Sequence, residues 1–190
     1  MKTAPDATTR RQVRERLGIA PEDFVLLSPA PQTPPFSEGH RMVLWAEGLL
    51  TLIAEGRQVF ALLPVGGSAE PRVRFFAEKA TVDNRHVLPR NDLSLQEAAA
   101  AADVAVFAGN EPADLAGLQA ALTAGLPVVA SDAAIEQDLP YARRFPVGDR
   151  RHLGSVLLDL MDRPELRAQL ASEARKADNP TRSLVWPRRS

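Results

Sequence analysis

Residues Ala102 to Asp132 read ADVAVFAGNEPADLAGLQAALTAGLPVVASD, and this stretch decides the fold. Asp103-Val104-Ala105-Val106-Phe107 is a short apolar run of the kind a parallel sheet buries on both faces, and Gly109-Asn110-Glu111-Pro112 breaks it. Pro112 suits a first helical turn, where its missing N–H would have had no partner, and Asn110 or Glu111 is placed to cap that turn. Leu115, Leu118, Ala121 and Leu122 then fall at helical spacing on one face. Gly125 stands where a C-terminal glycine ends a helix, and Leu126-Pro127-Val128-Val129-Ala130 begins another strand. The unit is strand, helix, strand, with a right-handed crossover expected. Its helix start, Glu111 to Leu115, lies at the carboxyl end of the first strand, where open α/β sheets bind ligands.

The same alternation extends outward in both directions. Upstream, Thr8 to Leu17 reads as a short arginine-rich helix ended by Gly18, and Phe24 to Leu27 as a buried strand. Four prolines between Ser28 and Pro35 forbid helix and central strand alike. Ser37 to Ala54 places Met42, Trp45, Leu49, Leu52 and Ile53 on one helical face, with Gly56 as its stop. Val59 to Leu63 is a second strand, and Val65-Gly66-Gly67-Ser68 turns into a helix from Glu70 to Ala80. His86-Val87-Leu88 is a short third strand, and Leu93 to Ala101 an alanine-rich helix. Downstream, Arg144 to Val147 reads as a sixth strand, Asp149 as the cap of a helix from Arg150 to Met161, and Pro164 as the opening of a last helix to Lys176. Residues 178–190 form an irregular tail. This pattern predicts one α/β domain over residues 1–190: a doubly wound, Rossmann-like parallel sheet of five or six strands with helices on both faces.

Composition narrows the function classes. A chain of 190 residues has room for a core burying roughly 70% of its unfolded surface. With 23 Lys+Arg against 24 Asp+Glu, no global field draws nucleic acid or an anionic membrane, and neither is expected as a partner. The arginine runs at Arg10, Arg11, Arg14 and Arg16 and at Arg182, Arg188 and Arg189 read as solvated faces or tails. The lack of cysteine removes disulfides, thiolate catalysis and cysteine-ligated zinc, and fits the cytoplasmic location expected here. His40, His86 and His152 stand apart, without metal-ligand spacing, so no metal is expected. No apolar run reaches the roughly 18 residues that span a bilayer, and MKTAPDATTRR is not a signal peptide. Gly-x-Gly-x-x-Gly and Walker patterns, which would point to a dinucleotide or ATP, do not occur.

A run of local signals resembles the C-terminal, donor-binding domain of GT-B glycosyltransferases of the group 1 type (family GT4) over nearly the whole chain. The signals are Arg14-Glu15-Arg16-Leu17-Gly18, Gly39-His40, Val65-Gly66-Gly67 and Ala102-Asp103-Val104, then Ala120 to Ser131 with its Gly-x-Pro-Val-Val strand, and Asp162-Arg163-Pro164-Glu165-Leu166-Arg167. The resemblance implies the donor-binding half of a retaining, hexosyltransferase-class enzyme. Its substrate would be a nucleotide sugar such as a UDP- or GDP-sugar, with no separate cofactor. It further implies an N-terminal acceptor-binding domain or partner subunit that this chain lacks, and hence inactivity in isolation.

In that family two glutamates eight positions apart hold the donor, one on the sugar hydroxyls and one on the ribose, while N–H groups of the first helical turn meet the diphosphate. Carried onto this chain, the resemblance implies donor-binding roles for Glu111 and Gln119, with Asp114 and Leu115 at the first turn. Gly66 and Gly67 would let a sugar or phosphate approach, and Arg90 or Arg41 would supply a cation. The chain also departs from the pattern. Gln119 stands at the second glutamate, and Pro112, Ala113 and Asp114 stand where small residues or glycine are usual. Pro29-Ala30-Pro31-Gln32 carries no arginine, and Glu38 falls where a lysine precedes the Gly-His step. Two cations are missing and an anion is added, and no catalytic residue is assigned. A second reading is therefore a catalytically degenerate domain of the same fold that serves as a binding or interaction module.

Overall fold

A computed structural model of the chain describes residues 7–29, 48–49, 51–64, 87–109 and 113–178. In order these form α1 (Ala7–Leu17), β1 (Phe24–Leu27), β2 (Val59–Pro64), β3 (Val87–Arg90), α2 (Leu95–Ala101), β4 (Val104–Phe107), α3 (Leu115–Thr123), β5 (Val128–Ser131), β6 (Ala142–Phe145), α4 (Arg150–Asp162) and α5 (Pro164–Ala177). Residues 48–49 and 51–54, ahead of β2, are also helical. The strands make one six-stranded sheet in the order β3-β2-β1-β4-β5-β6, with every neighbouring pair parallel. The turn expected at Gly66-Gly67, the helix expected from Glu70 to Ala80, the first part of the helix expected from Ser37 and the tail beyond Asp178 lie outside the described residues.

The continuous apolar runs have the burial that a two-faced sheet demands. All four residues of β1, β4 and β5 are buried. Side chains alternate between two cores, as the two-residue period of a strand requires. Val25, Leu27, Ala105, Phe107, Val128 and Ala130 enter a core shared with Val13 of α1, Ala98 and Ala101 of α2, and Leu118 and Leu122 of α3. Phe24, Leu26, Val104, Val106 and Val129 face a second core with Leu49, Leu52, Leu153, Leu157 and Leu170. Helices therefore cover both faces.

On the second face two helices approach through glycine. A Cβ added to Gly154 of α4 would lie 2.7 Å from Thr51 Cγ2 and 2.9 Å from Thr51 Cβ, and one added to Gly48 would lie 2.7 Å from Leu153 Cδ2. The missing side chains are what permit this spacing. Gly125, which ends α3 as its position predicts, has φ of +68°, and an added Cβ would meet Arg175 Nη1 at 2.8 Å.

α1 is held by a buried charge cluster. Arg14 is 3% exposed, and its Nη2 bonds Asp103 Oδ2 at 2.8 Å. The same guanidinium donates to the carbonyls of Ala101 at 2.9 Å, Ala20 at 3.1 Å, Pro21 at 3.0 Å and Asp23 at 2.9 Å. Arg10 bonds Asp103 Oδ1 at 2.6 Å, and the Val25 N–H donates to Asp103 Oδ2 at 2.8 Å. Burial pulls the Arg14 pKa below its ordinary value, and the adjacent Asp103 carboxylate opposes that pull. Reading this arginine run as a solvated face is thus corrected for Arg14, whose charge is compensated inside the protein.

Other boundaries shift for local reasons. α2 begins at Leu95 because Ser94 caps it, its Oγ accepting from the Glu97 N–H while Glu97 accepts from the Ser94 N–H. β6 spans Ala142–Phe145, two residues earlier than expected, and β3 runs to Arg90 through Pro89. Both are edge strands, β6 with Arg143 exposed.

Asp103→Ala leaves Arg14 buried without its carboxylate and is expected to cost about 3–5 kcal/mol in urea unfolding. Gly154→Ala forces Thr51 to move, and an unfolding loss of about 1–3 kcal/mol is expected; an unchanged midpoint would contradict the close crossing.

Candidate functional site

The strand order reverses direction between β1 and β4, so the crevice at their carboxyl ends is the topological switch point of the sheet. Ser28 and Pro29 leave β1 there, and Ala108 and Gly109 leave β4. Two tethers, from the last residue of β5 and from the turn after it, reach Gly109 and Ala113, which flank the connection into α3. Ser131 Oγ, buried, donates to the Gly109 carbonyl and accepts from the Ala134 N–H at 3.0 Å. On the far side of the connection the Ala113 N–H donates to the Ala134 carbonyl at 2.9 Å. Glu111, the expected sugar ligand, lies between these tethers but outside the described residues, as do Gly66, Gly67, Arg41, Glu38 and His40.

The helix that follows starts later than its sequence implied. Asp114, not Asn110 or Glu111, is the N-cap: it has extended backbone and its Oδ2 accepts from the Gly117 N–H at 2.9 Å. A short acidic side chain three residues ahead of an N–H reaches that donor directly, whereas Pro112 stands too early to form the first turn. Leu115 is the first helical residue and is 62% exposed, while Leu118, Ala121 and Leu122 are buried. Its expected place on the apolar face is corrected: the core contact begins one turn later. Gly117 lies against the chain leaving β1, since a Cβ added there would sit 2.6 Å from Pro29 Cβ.

Two other expected ligands have partners in the protein. Gln119 Nε2 donates to Asp178 Oδ1 at 2.5 Å and to Thr123 Oγ1 at 3.3 Å, and Thr123 Oγ1 donates to the same Asp178 oxygen at 3.1 Å. The side chain thus ties α3 to the end of α5. Arg90, the last residue of β3, forms a two-pronged pair with Asp92, Nε to Oδ1 at 2.7 Å and Nη2 to Oδ2 at 2.6 Å. That pair raises the Arg90 pKa and holds the Asp92 carboxyl below its ordinary value. Arg90 is at the carboxyl end of the sheet but three strand spacings from β4, about 14 Å. Among the described residues no group of three or more His, Cys, Asp or Glu is arranged to hold a metal, and no helix is long and apolar enough to cross a membrane.

The contacts around α3 also involve Ser131, Ala134, Pro29 and Asp178, to which the sequence assigned no part in the site. Only the spacing of Asp114 to Gly117 carried a local signal, since an aspartate three residues before an N–H is the ordinary geometry of a helix cap.

No family model and no curated protein matches the chain. Solved structures do. WaaG, a glycosyltransferase involved in lipopolysaccharide biosynthesis, superimposes with a TM-score of 0.72 at 22% identity, over 94% of this chain and 49% of its own. Anabaena HepE in complex with UDP gives 0.69 at 20% identity, over 92% and 49%. The C-terminal domain of the group 1 family glycosyl transferase LpcC from Francisella tularensis gives 0.67 at 13% identity, over 91% of this chain and 92% of that domain. The chain therefore has the fold of the C-terminal half of group 1 GT-B glycosyltransferases, and it spans about half the length of WaaG and HepE, 49% of each.

Ser131→Ala removes the hydroxyl that joins Gly109 to Ala134, and a loss of about 1–3 kcal/mol is expected in denaturant unfolding, as for a buried polar group deprived of its partner.

Proposed function

We propose that this chain is the donor-side half of a retaining glycosyltransferase that uses a nucleotide sugar, and that it transfers no sugar by itself. One observation carries the reading: at the β1/β4 switch point, Gly109 and Ala113, which flank Glu111 in sequence, are bonded to Ser131 and Ala134, and Asp114 caps the N-terminus of α3. That is where an open parallel sheet offers backbone N–H groups and a helix dipole to a phosphorylated ligand. HepE, of the same fold, was crystallised with UDP and with UDP-glucose. A UDP- or GDP-sugar is accordingly the proposed donor, with no additional cofactor.

Within this reading Glu111 accepts hydrogen bonds from the sugar hydroxyls, and Gln119 offers its amide to the ribose after releasing Asp178. The departing diphosphate carries the charge that must be stabilised in the transition state, and preorganised donors there are worth about 10² to 10³ in rate each. The N–H groups of α3 supply part of that stabilisation. The acceptor and the remaining cations come from a second domain or partner subunit closing over the carboxyl edge, which is why the half alone does not turn over.

A binding or interaction module of the same fold is the second reading. It is favoured by the engagement of Gln119 with Asp178 and of Arg90 with Asp92, two expected ligand groups already satisfied within the chain.

Thermal unfolding with UDP-glucose and GDP-mannose separates the readings. At about ten times the Kd, binding to the folded state adds roughly 1.4 kcal/mol, which raises the Tm of a domain this size by about 3–5 °C. A rise with either sugar, without release of free nucleotide over hours, is the expected result. No rise with either up to about 10 mM removes the donor-half reading and leaves the module.

A further inference from the structure

We propose that the corner where β6 turns into α4 is a docking surface for an anionic lipid bilayer, with Val147 entering the headgroup region and Arg143, Arg150 and Arg151, on either side of it in sequence, engaging lipid phosphates. This surface stands apart from the β1/β4 crevice and does not depend on the donor-half reading.

The chain's formal net charge of -1 conceals a local excess. Residues 142–152, Ala-Arg-Arg-Phe-Pro-Val-Gly-Asp-Arg-Arg-His, hold four arginines against one aspartate. Arg144 is engaged with Asp138, but Arg143 and Arg151 are exposed and, among the described residues, pair with no carboxylate. Helix stability does not account for the arginines of α4. The dipole favours acids at a helix start and bases at its end, yet Arg150 and Arg151 are the first two residues of α4, and Asp159 and Asp162 lie in its last turn. The turn ahead of the helix is built to hold its shape. Gly148, with φ of +84°, lets the Asp149 N–H bond the Pro146 carbonyl at 3.0 Å, and the Val147 N–H donates to Asp132 Oδ1 at 2.9 Å. Asp149 Oδ1 accepts from the His152 N–H at 2.9 Å, so both acids of the corner are occupied by backbone donors. Every residue from Pro146 to His152 is exposed. Val147, at 45%, is with Leu115 one of two exposed large hydrophobic side chains among the described residues, and only Val147 has arginines near it in the chain. An apolar tip on a fixed turn, with guanidinium groups beside it, matches the boundary between acyl chains and anionic headgroups. An acidic protein surface would satisfy the arginines and leave the valine without an apolar partner, and that difference favours lipid.

Co-sedimentation of the full chain with vesicles of phosphatidylcholine alone, and of phosphatidylcholine and phosphatidylglycerol in equal parts, tests this. Near an anionic surface each arginine is worth about a fivefold gain in partitioning, so the wild type is expected to bind the anionic vesicles about 10²-fold more tightly than the neutral ones. Most of that preference is lost at about 0.5 M salt, where charges are screened over a few ångströms. Arg143→Glu with Arg151→Glu abolishes the preference. Arg11→Glu with Lys176→Glu makes the same change of net charge at exposed positions on α1 and α5, and keeps most of it. Val147→Ser lowers binding to the anionic vesicles about fivefold without changing its salt dependence. A thermal melt verifies that each variant is folded. Equal binding of the wild type to both vesicles overturns the proposal, as does undiminished binding by the Arg143/Arg151 variant or an equal loss in the Arg11/Lys176 variant. Binding to soluble polyglutamate without binding to vesicles also overturns it, and assigns the corner to an acidic protein instead.

Discussion

The Arg14–Asp103 pair sets the seam on which the remainder of the sheet is built. Asp103 stands one residue ahead of β4, accepts the Val25 N–H on its side chain and donates its own N–H to the Val25 carbonyl at 2.7 Å. Those bonds fix where β4 meets β1, and the parallel register Leu26↔Val104 and Leu27↔Ala105 follows directly. A one-residue slip there would exchange the two cores, because alternate residues of β1 and β4 belong to opposite faces. Arg14 neutralises the aspartate and also closes the carbonyls of the turn between α1 and β1. A buried ion pair need not add net stability over an apolar substitute, but here it specifies a register. The switch-point crevice lies at the opposite end of the same seam.

At the carboxyl end of the β1/β4 seam, hydrogen bonds join the residues that leave β4 to those that leave β5. The end of β5 and the turn after it supply both tethers, through Ser131, the last residue of that strand, and Ala134, three residues on. Conserving the geometry of one element therefore preserves the position of the other. Elsewhere on α3, the pairing of Gln119 with Asp178 braces that helix against the end of α5.

The sequence made the interior of the sheet readable and its periphery much less so. β1, β4 and β5 are apolar throughout, and such runs have few alternatives to a buried parallel strand. β6, Ala-Arg-Arg-Phe, lacks that signature because only one residue of the four is fully buried. The start of α3 was misplaced because Pro112 is a strong generic opener, while the cap actually used depends on where the loop delivers Asp114. Arg14 was unreadable as a buried residue, since its partner is 89 positions away. The same limit applies to the site: Gln119 meets Asp178 across 59 positions and Ser131 meets Gly109 across 22, distances at which local spacing carries no information.

The sheet also announces where it ends. Pro89, which has no N–H, lies in the edge strand β3, and the edge strand β6 carries exposed Arg143, with Arg144 bonded to Asp138 at 3.0 Å. A proline and a charged side chain in edge strands both disfavour pairing with a strand from another molecule. Lateral growth into a continuous intermolecular sheet is thus disfavoured at both margins.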